Sequence, residues 1–185
     1  MTIFECIEKR RSVYPPAYNN QPISKETLER ILATANWAPT HRKTEPWRFH
    51  VFQQEAKMKL ANEVIAQMKS ANPDLGDFKL KKTVQKFEQS DTVIAIVLHR
   101  DPKDSLPEWE EVAAVAMAVQ NMWLACTEEK IGAYWSSPSI ISELGSFLDL
   151  APNEKCLGFF YMGNTDEFPE GVRKSSIEEK VKWVK

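Results

Sequence analysis

Three residues near the start of the chain, Arg10, Arg11 and Ser12, bring two permanent cations and a hydroxyl together where a helix ends. Guanidinium groups grip phosphate oxygens through paired, charge-assisted hydrogen bonds, so the grouping suits a bound phosphate. The same cations would also complement the negative end of a helix dipole, and the residues alone leave both readings open. A second segment runs Trp37-Ala38-Pro39-Thr40-His41-Arg42-Lys43-Thr44-Glu45-Pro46-Trp47-Arg48-Phe49, a polar loop pinned by two prolines and flanked by two tryptophans. Loops held this rigidly often present functional groups; the alternative is a plain connection from helix to strand.

Other chemistries lack their residues. No G-x-G-x-x-G occurs, and Gly158 to Gly163 has Walker-A spacing but is followed by Asn164 and Thr165 instead of Lys-Ser/Thr. Neither G-x-S-x-G nor H-E-x-x-H is present, and three isolated histidines make no metal site. Cys6, Cys126 and Cys156 are odd in number and far apart, so they read as buried thiols and not as a disulfide or zinc framework. A net charge of -2 argues against a nucleic-acid or membrane surface, either of which wants a basic excess. The first residues contain no apolar signal-like run and no stretch reaches membrane-spanning length, so a soluble, cytoplasmic protein is expected.

The elements that must carry these residues follow from periodicity. Thr2 and Glu5 form a capping box, which predicts a first helix over about 2–11. Ser24 can cap a second, in which Leu28, Ile31, Leu32 and Ala35 recur at helical spacing up to Pro39. Residues 47–52 alternate as a strand, and two polar helices follow near 54–71 and 75–90. The uninterrupted run Val93 to Leu98 predicts a strand in the middle of the sheet. From Pro107 to Lys130 the apolar residues, among them Trp109, Val112, Ala116, Val119 and Trp123, spread over most of a helical circumference. A chain of 185 residues has little room to enclose such a helix alone, so a second subunit is expected to cover part of it. Strands at 133–136 and 156–162, a helix starting near Ser139 between them, and a charged tail from 166 to 185 complete the reading. The order predicts one domain, 1–185, with helices on both sides of one sheet.

Taken in sequence, the Arg10-Arg11-Ser12 motif, the Ala38-Pro39-Thr40 to Pro46-Trp47-Arg48-Phe49 segment, the long helix with Gln120-Asn121-Met122, the stretch Gly132 to Pro138, the Gly158 to Gly163 strand and the tail from Arg173 to Trp183 resemble the nitroreductase family. The resemblance spans essentially the whole chain. It implies an α+β fold, a three-layer α/β/α sandwich around a mixed, mainly antiparallel sheet, in an intertwined homodimer whose tail, 166–185, contacts the partner subunit. It also implies FMN at the subunit interface, with electrons arriving from NADH or NADPH and leaving, by ping-pong exchange, to a nitroaromatic, quinone or enone acceptor. No metal is implied, and no side chain is named as catalytic, because the cofactor carries the chemistry.

Position by position, the resemblance gives Arg10 and Ser12 the FMN phosphate and ribityl chain, sets Arg11 beside them and makes Arg173 a second clamp. Trp135, Ser136 and Ser137 fall against the flavin, and Trp37 and His41 approach from the partner subunit. Two positions depart from the family pattern: Lys43 stands where many relatives have Asn against the flavin ring, and Glu45 where many have Gln. An ammonium at Lys43 would favour the negatively charged reduced flavin and raise its potential. The rival readings are a non-catalytic FMN-binding or storage module and the flavin-destroying or dehalogenating branch of the same superfamily.

Overall fold

The computed structural model describes residues 1–185. Thr2 caps α1 (Ile3–Lys9): its hydroxyl accepts from the Glu5 N–H at 3.3 Å, and the Glu5 carboxylate accepts from the Thr2 N–H at 2.8 Å. Ser24 caps α2 (Lys25–Thr34) by accepting from the Thr27 N–H at 3.1 Å. The helix does not run on to Pro39; its last turn tightens into a 3-10 turn, Ala35–Trp37, closed by the Ala38 N–H on the Ala35 carbonyl. Tightening of this kind is a common way to satisfy the carbonyls a helix end leaves free.

The remaining regular elements are β1 (Trp47–Gln53), α3 (Gln54–Ala71), α4 (Asp77–Gln89), β2 (Thr92–His99), α5 (Glu108–Glu128), β3 (Ile131–Ser136) and β4 (Glu154–Asn164). The strands lie in the order β1-β2-β4-β3, and every neighbouring pair is antiparallel. The parallel component of the expected mixed sheet is therefore missing within the chain, and the connections explain why. Gln53 at the end of β1 pairs with Thr92 at the start of β2, because α3 and α4 carry the chain out and back to the end it left. The single helix α5 does set β3 parallel to β2, but β4 lies between them and runs against both.

Strand alternation sends side chains to two cores. Ile94, Ile96 and Leu98 of β2 meet Phe160 and Met162 of β4 under α2 and α5, whereas Val93 and Ala95 meet Phe159 and Tyr161 under α3 and α4. These make the outer layers of the sandwich. All three cysteines are buried and free, and burial pushes the Cys156 thiol up to about 11. The helix expected from Ser139 is absent as an α-helix. A 3-10 turn, Ile141–Leu144, and further turns take its place, with Ile140, Leu144 and Leu148 buried. Gly145 gives little helical support, and Asp149, at a φ of 51°, ends the path after one further turn, closed by the Leu148 N–H on the Leu144 carbonyl at 2.9 Å.

α5 buries one face, with Ala114, Val115, Ala118, Val119, Met122 and Cys126 against the core. Its other face leaves Trp109 and Met117 exposed, so the single chain encloses the helix on one side only. The tail holds one short 3-10 turn, Glu178–Lys180, and exposes Val172, Ile177, Val181, Trp183 and Val184. No helix is long and apolar enough to cross a membrane.

Candidate functional site

Arg10 forms the C-cap of α1, where its backbone leaves the helical region and its N–H bonds the Cys6 carbonyl. Its half-buried guanidinium lies over the ring of Trp123 on α5, 4.6 Å from the centroid. Trp123 is fixed in turn by donating its indole N–H to the Arg11 carbonyl at 3.1 Å. Arg11 turns back on α1, donating to the carbonyls of Glu8 and, at 2.8 Å, Arg10. Its Nε is buried without an acceptor.

After this corner the chain runs beside β3. The Val13 N–H donates to the Ala133 carbonyl at 3.0 Å, and the rings of Tyr14 and Tyr134 pack 4.8 Å apart. Exposed Ser12 thus stands next to the strand that ends in Trp135, Ser136 and Ser137. The Trp135 indole N–H donates to the Leu157 carbonyl at 3.2 Å, where β4 bulges. Gly158 makes that approach possible. It has a φ of 143°, and a β-carbon there would sit 2.6 Å from the Ser136 carbonyl oxygen. A residue with a side chain would meet both backbone strain and collision.

The tail closes over the same corner. Asn19 donates to Asp166 at 2.8 Å, Thr165 donates to the Ala17 carbonyl at 3.1 Å, and Gly171 lies against the Arg11 guanidinium. This brings exposed Arg173 near Arg10, whose guanidinium is held below its ordinary value by burial first and then by the like charges of Arg173 and Arg11. None of the three arginines pairs with a carboxylate. Like charges gathered in a partly buried place with no counter-ion are unfavourable unless an anion joins them.

The loop residues lie elsewhere. Trp37 is 85% exposed and, with Ile3, Cys6 and Leu124, lines an open groove of about 500 Å3 between α1 and α5. Exposed Lys43 follows His41, which bonds Glu110 in the first turn of α5, and Arg42, which donates to the Ser105 carbonyl at 3.2 Å. Arg42, Lys43 and Glu45 take φ values of 51°, 57° and 43°. Each left-handed residue of this kind costs on the order of 1–3 kcal/mol, and surroundings must hold it in place. Glu110 and Trp123 are 13 residues apart on α5, about 20 Å along its axis at 1.5 Å per residue. One chain therefore gathers Arg10, Arg11, Ser12, Arg173 and the Trp135–Ser137 strand end at one place and sets His41 and Lys43 well away from it.

Sequence reasoning missed Trp123 and Glu110 as parts of these arrangements. Trp123 was indistinguishable from its apolar helix neighbours, and Glu110 from an acidic residue that complements a helix N-terminus. Only their long-range partners mark them. No group of three or more histidine, cysteine or acidic residues is placed to hold a metal.

Residues 7–164 match the model of the nitroreductase family. The Bacillus subtilis (strain 168) protein YfhC, provisionally named an NAD(P)H nitroreductase, is 28% identical over 179 residues, covering 95% of this chain and 91% of its own. The crystal structure of a nitroreductase-like family protein from Bacillus cereus superposes with a TM-score of 0.83 at 24% identity, covering 100% of this chain and 96% of the other. That of a provisionally named nitroreductase from Desulfovibrio desulfuricans, solved in complex with FMN, gives 0.76 at 22% identity, covering 100% and 98%.

Proposed function

The chain belongs to the nitroreductase family and is an oxidoreductase, and from that premise we propose that it binds FMN between two copies of itself and passes electrons from NADH or NADPH to an organic acceptor. The observation that carries this reading is the corner where Arg10, Arg11 and Arg173 meet without a carboxylate, one of their N–H groups buried and unpartnered. A phosphate monoester fits that set in charge and in donor geometry. The FMN complex of the Desulfovibrio relative and the NAD(P)H named for YfhC support the choice of cofactor and reductant.

When bound, FMN supplies the hydride-accepting and hydride-donating centre, so no side chain need act as nucleophile. Arg10 and Arg173 hold the phosphate, with Arg11 bracing the corner through its bonds to the end of α1 and Ser12 adding a hydroxyl. Trp135, Ser136 and Ser137 line the ring end, where the Gly158 bulge keeps the strand close. Because His41 and Lys43 sit about 20 Å along α5 from the arginine corner, they serve the site of the partner copy, and Trp37, 85% exposed at the groove between α1 and α5, joins them there through the family resemblance. The open face of α5 at Trp109 and Met117, and the exposed apolar residues of the tail 166–185, pack in the dimer. The chain acts as one domain in the cytoplasm, and its acceptor is a nitroaromatic, quinone or enone.

Purified protein that is yellow, sediments as a dimer and is bleached by NADH or NADPH without oxygen is the expected outcome. Protein that neither retains nor takes up FMN would remove the central claim. Bound flavin that neither nicotinamide bleaches would leave a binding module. Reoxidation by a panel of nitroaromatics, quinones and enones, followed by stopped flow, identifies the acceptor class.

A further inference from the structure

The loop from Thr40 to Glu45 holds three left-handed residues, and internal bonds alone do not account for its shape. Inside it, the Thr40 and Thr44 hydroxyls lie 3.2 Å apart and the Glu45 N–H donates to Thr40 at 3.3 Å. Arg48 of β1 donates to the Glu45 carbonyl at 2.8 Å, and two further bonds fasten the loop to α5 and the segment that leads into it: Arg42 to the Ser105 carbonyl at 3.2 Å, and His41 Nδ1 to Glu110 Oε2 at 2.6 Å. The Glu110 side chain is only 24% exposed, whereas that of His41 is 58% exposed. The carboxylate is thus the anchored partner and the imidazole the presented one.

An ionised carboxylate can only accept a hydrogen bond, so the proton between these atoms belongs to Nδ1. The other ring nitrogen, Nε2, is left as the atom His41 offers outward, and in the neutral ring it is an acceptor. Untethered imidazole shares its proton between the two positions; the partner of one nitrogen decides what the other presents.

We propose that Glu110 is a positioning residue, holding the proton of His41 on Nδ1 so that Nε2 faces the flavin site of the partner copy as a hydrogen-bond acceptor. This rests on the FMN reading above. It gives a task to a carboxylate that otherwise merely complements the N-terminus of α5. It also ties the left-handed loop, and with it Lys43, to the helix whose open face is assigned to the dimer.

The test compares wild type with Glu110→Leu, which removes the acceptor, with Glu110→Gln, which keeps a carbonyl acceptor without charge, and with His41→Leu. Ring 15N shifts of the three histidines are read in flavin-free protein, the His41 signal being the one lost in His41→Leu. FMN dissociation constants are read by fluorescence quenching. His99, bonded to Glu154 at 2.9 Å through the same ring nitrogen, is the internal control and should not change.

Wild type and Glu110→Gln should show the Nδ1–H tautomer at His41. Glu110→Leu should shift it toward Nε2–H and weaken FMN binding by about fivefold to tenfold, the effect of one lost neutral hydrogen bond, with Glu110→Gln restoring most of the affinity. Unchanged His41 shifts in Glu110→Leu would overturn the role of Glu110. So would wild-type FMN affinity in Glu110→Leu or in His41→Leu. Wild-type protein that takes up no FMN would instead sink the reading on which this rests, and the His41 shifts would still decide separately whether Glu110 sets the tautomer.

Discussion

Two arginine centres sit on this molecule, and they are wired in opposite ways. Arg100, at the end of β2, has its Nε 2.6 Å from buried Glu111, a second nitrogen 3.2 Å from Glu108, and further bonds to Asp104 and the Leu106 carbonyl. Arg10, Arg11 and Arg173 share their corner with no carboxylate at all. The first centre has its charge paired, although its Nε and Glu111 Oε2 meet as an ion pair and not as an aligned hydrogen bond, and it acts as a fastener, tying the loop from 100 to 107 to the start of α5. The second leaves its charges without a counter-ion, which is the arrangement that the proposed phosphate site calls for.

The sharpest way to break this contrast is to damage the fastener. Glu111→Ala leaves the partly buried Arg100 charge without its one fully buried partner, a defect that costs about 3 kcal/mol. At about 2–4 °C per kcal/mol for a domain of this size, the melting temperature should fall by roughly 10 °C. FMN affinity measured well below the new midpoint should hardly move, and a melting temperature within about 2 °C of wild type would show that the fastener fastens nothing.

Arg10→Ala should do the reverse. Removing a charge-assisted contact to phosphate weakens FMN binding by about 2 kcal/mol, roughly thirtyfold. The flavin-free protein should melt close to wild type, since a lost cation-π contact is offset by relief of like-charge repulsion. A large loss of stability with unaltered affinity would make the corner structural after all.

A smaller effect is expected from inorganic phosphate. At concentrations several times its dissociation constant it should stabilise flavin-free protein by about 1 kcal/mol through mass action, read as a rise in melting temperature that Arg10→Ala abolishes and Glu111→Ala keeps. An equal rise in wild type and Arg10→Ala would mean that phosphate acts elsewhere.

The smallest effect is on acid stability. The Glu108 carboxyl is held below the usual carboxylate range, first by its hydrogen bond from Lys155 and then by Arg100. A carboxyl whose folded value is depressed stabilises the protein above its unfolded value and loses that contribution as pH falls through the folded one. Glu108 is well exposed, so solvent screens the effect. Glu108→Gln should lower the melting temperature slightly at neutral pH, and the difference from wild type should vanish as pH falls below the ordinary carboxylate range.

How much of this was legible in the sequence depends on how local each cause is. The run Val93 to Leu98 announced an inner strand because no position in it tolerates water, and α3 follows its periodicity closely. The stretch after Ser139 misled because Ile140, Leu144 and Leu148 recur at helical spacing, yet they are buried from a chain of turns. Periodicity reports which residues face the core, not whether the backbone between them closes its hydrogen bonds. At the proposed site, Arg10 and Ser12 stood out by residue type, and Trp135 only through the family resemblance. That Trp123 would underlie Arg10, or Glu110 hold His41, depends on which helix crosses which loop, and nothing near those residues in the chain records it.

The contact of Gly171 with Arg11 also bears on the order in which the protein is made. Arg10 and Arg11 are synthesised well before the third cation, Arg173, which lies 162 residues beyond Arg11 in the chain. A growing polypeptide can form α1 and much of the sheet while its arginine corner is still missing one of its three charges. On the proposed reading, the three-cation phosphate site is complete only once residue 173 has been made, and products cut before it should bind FMN less tightly.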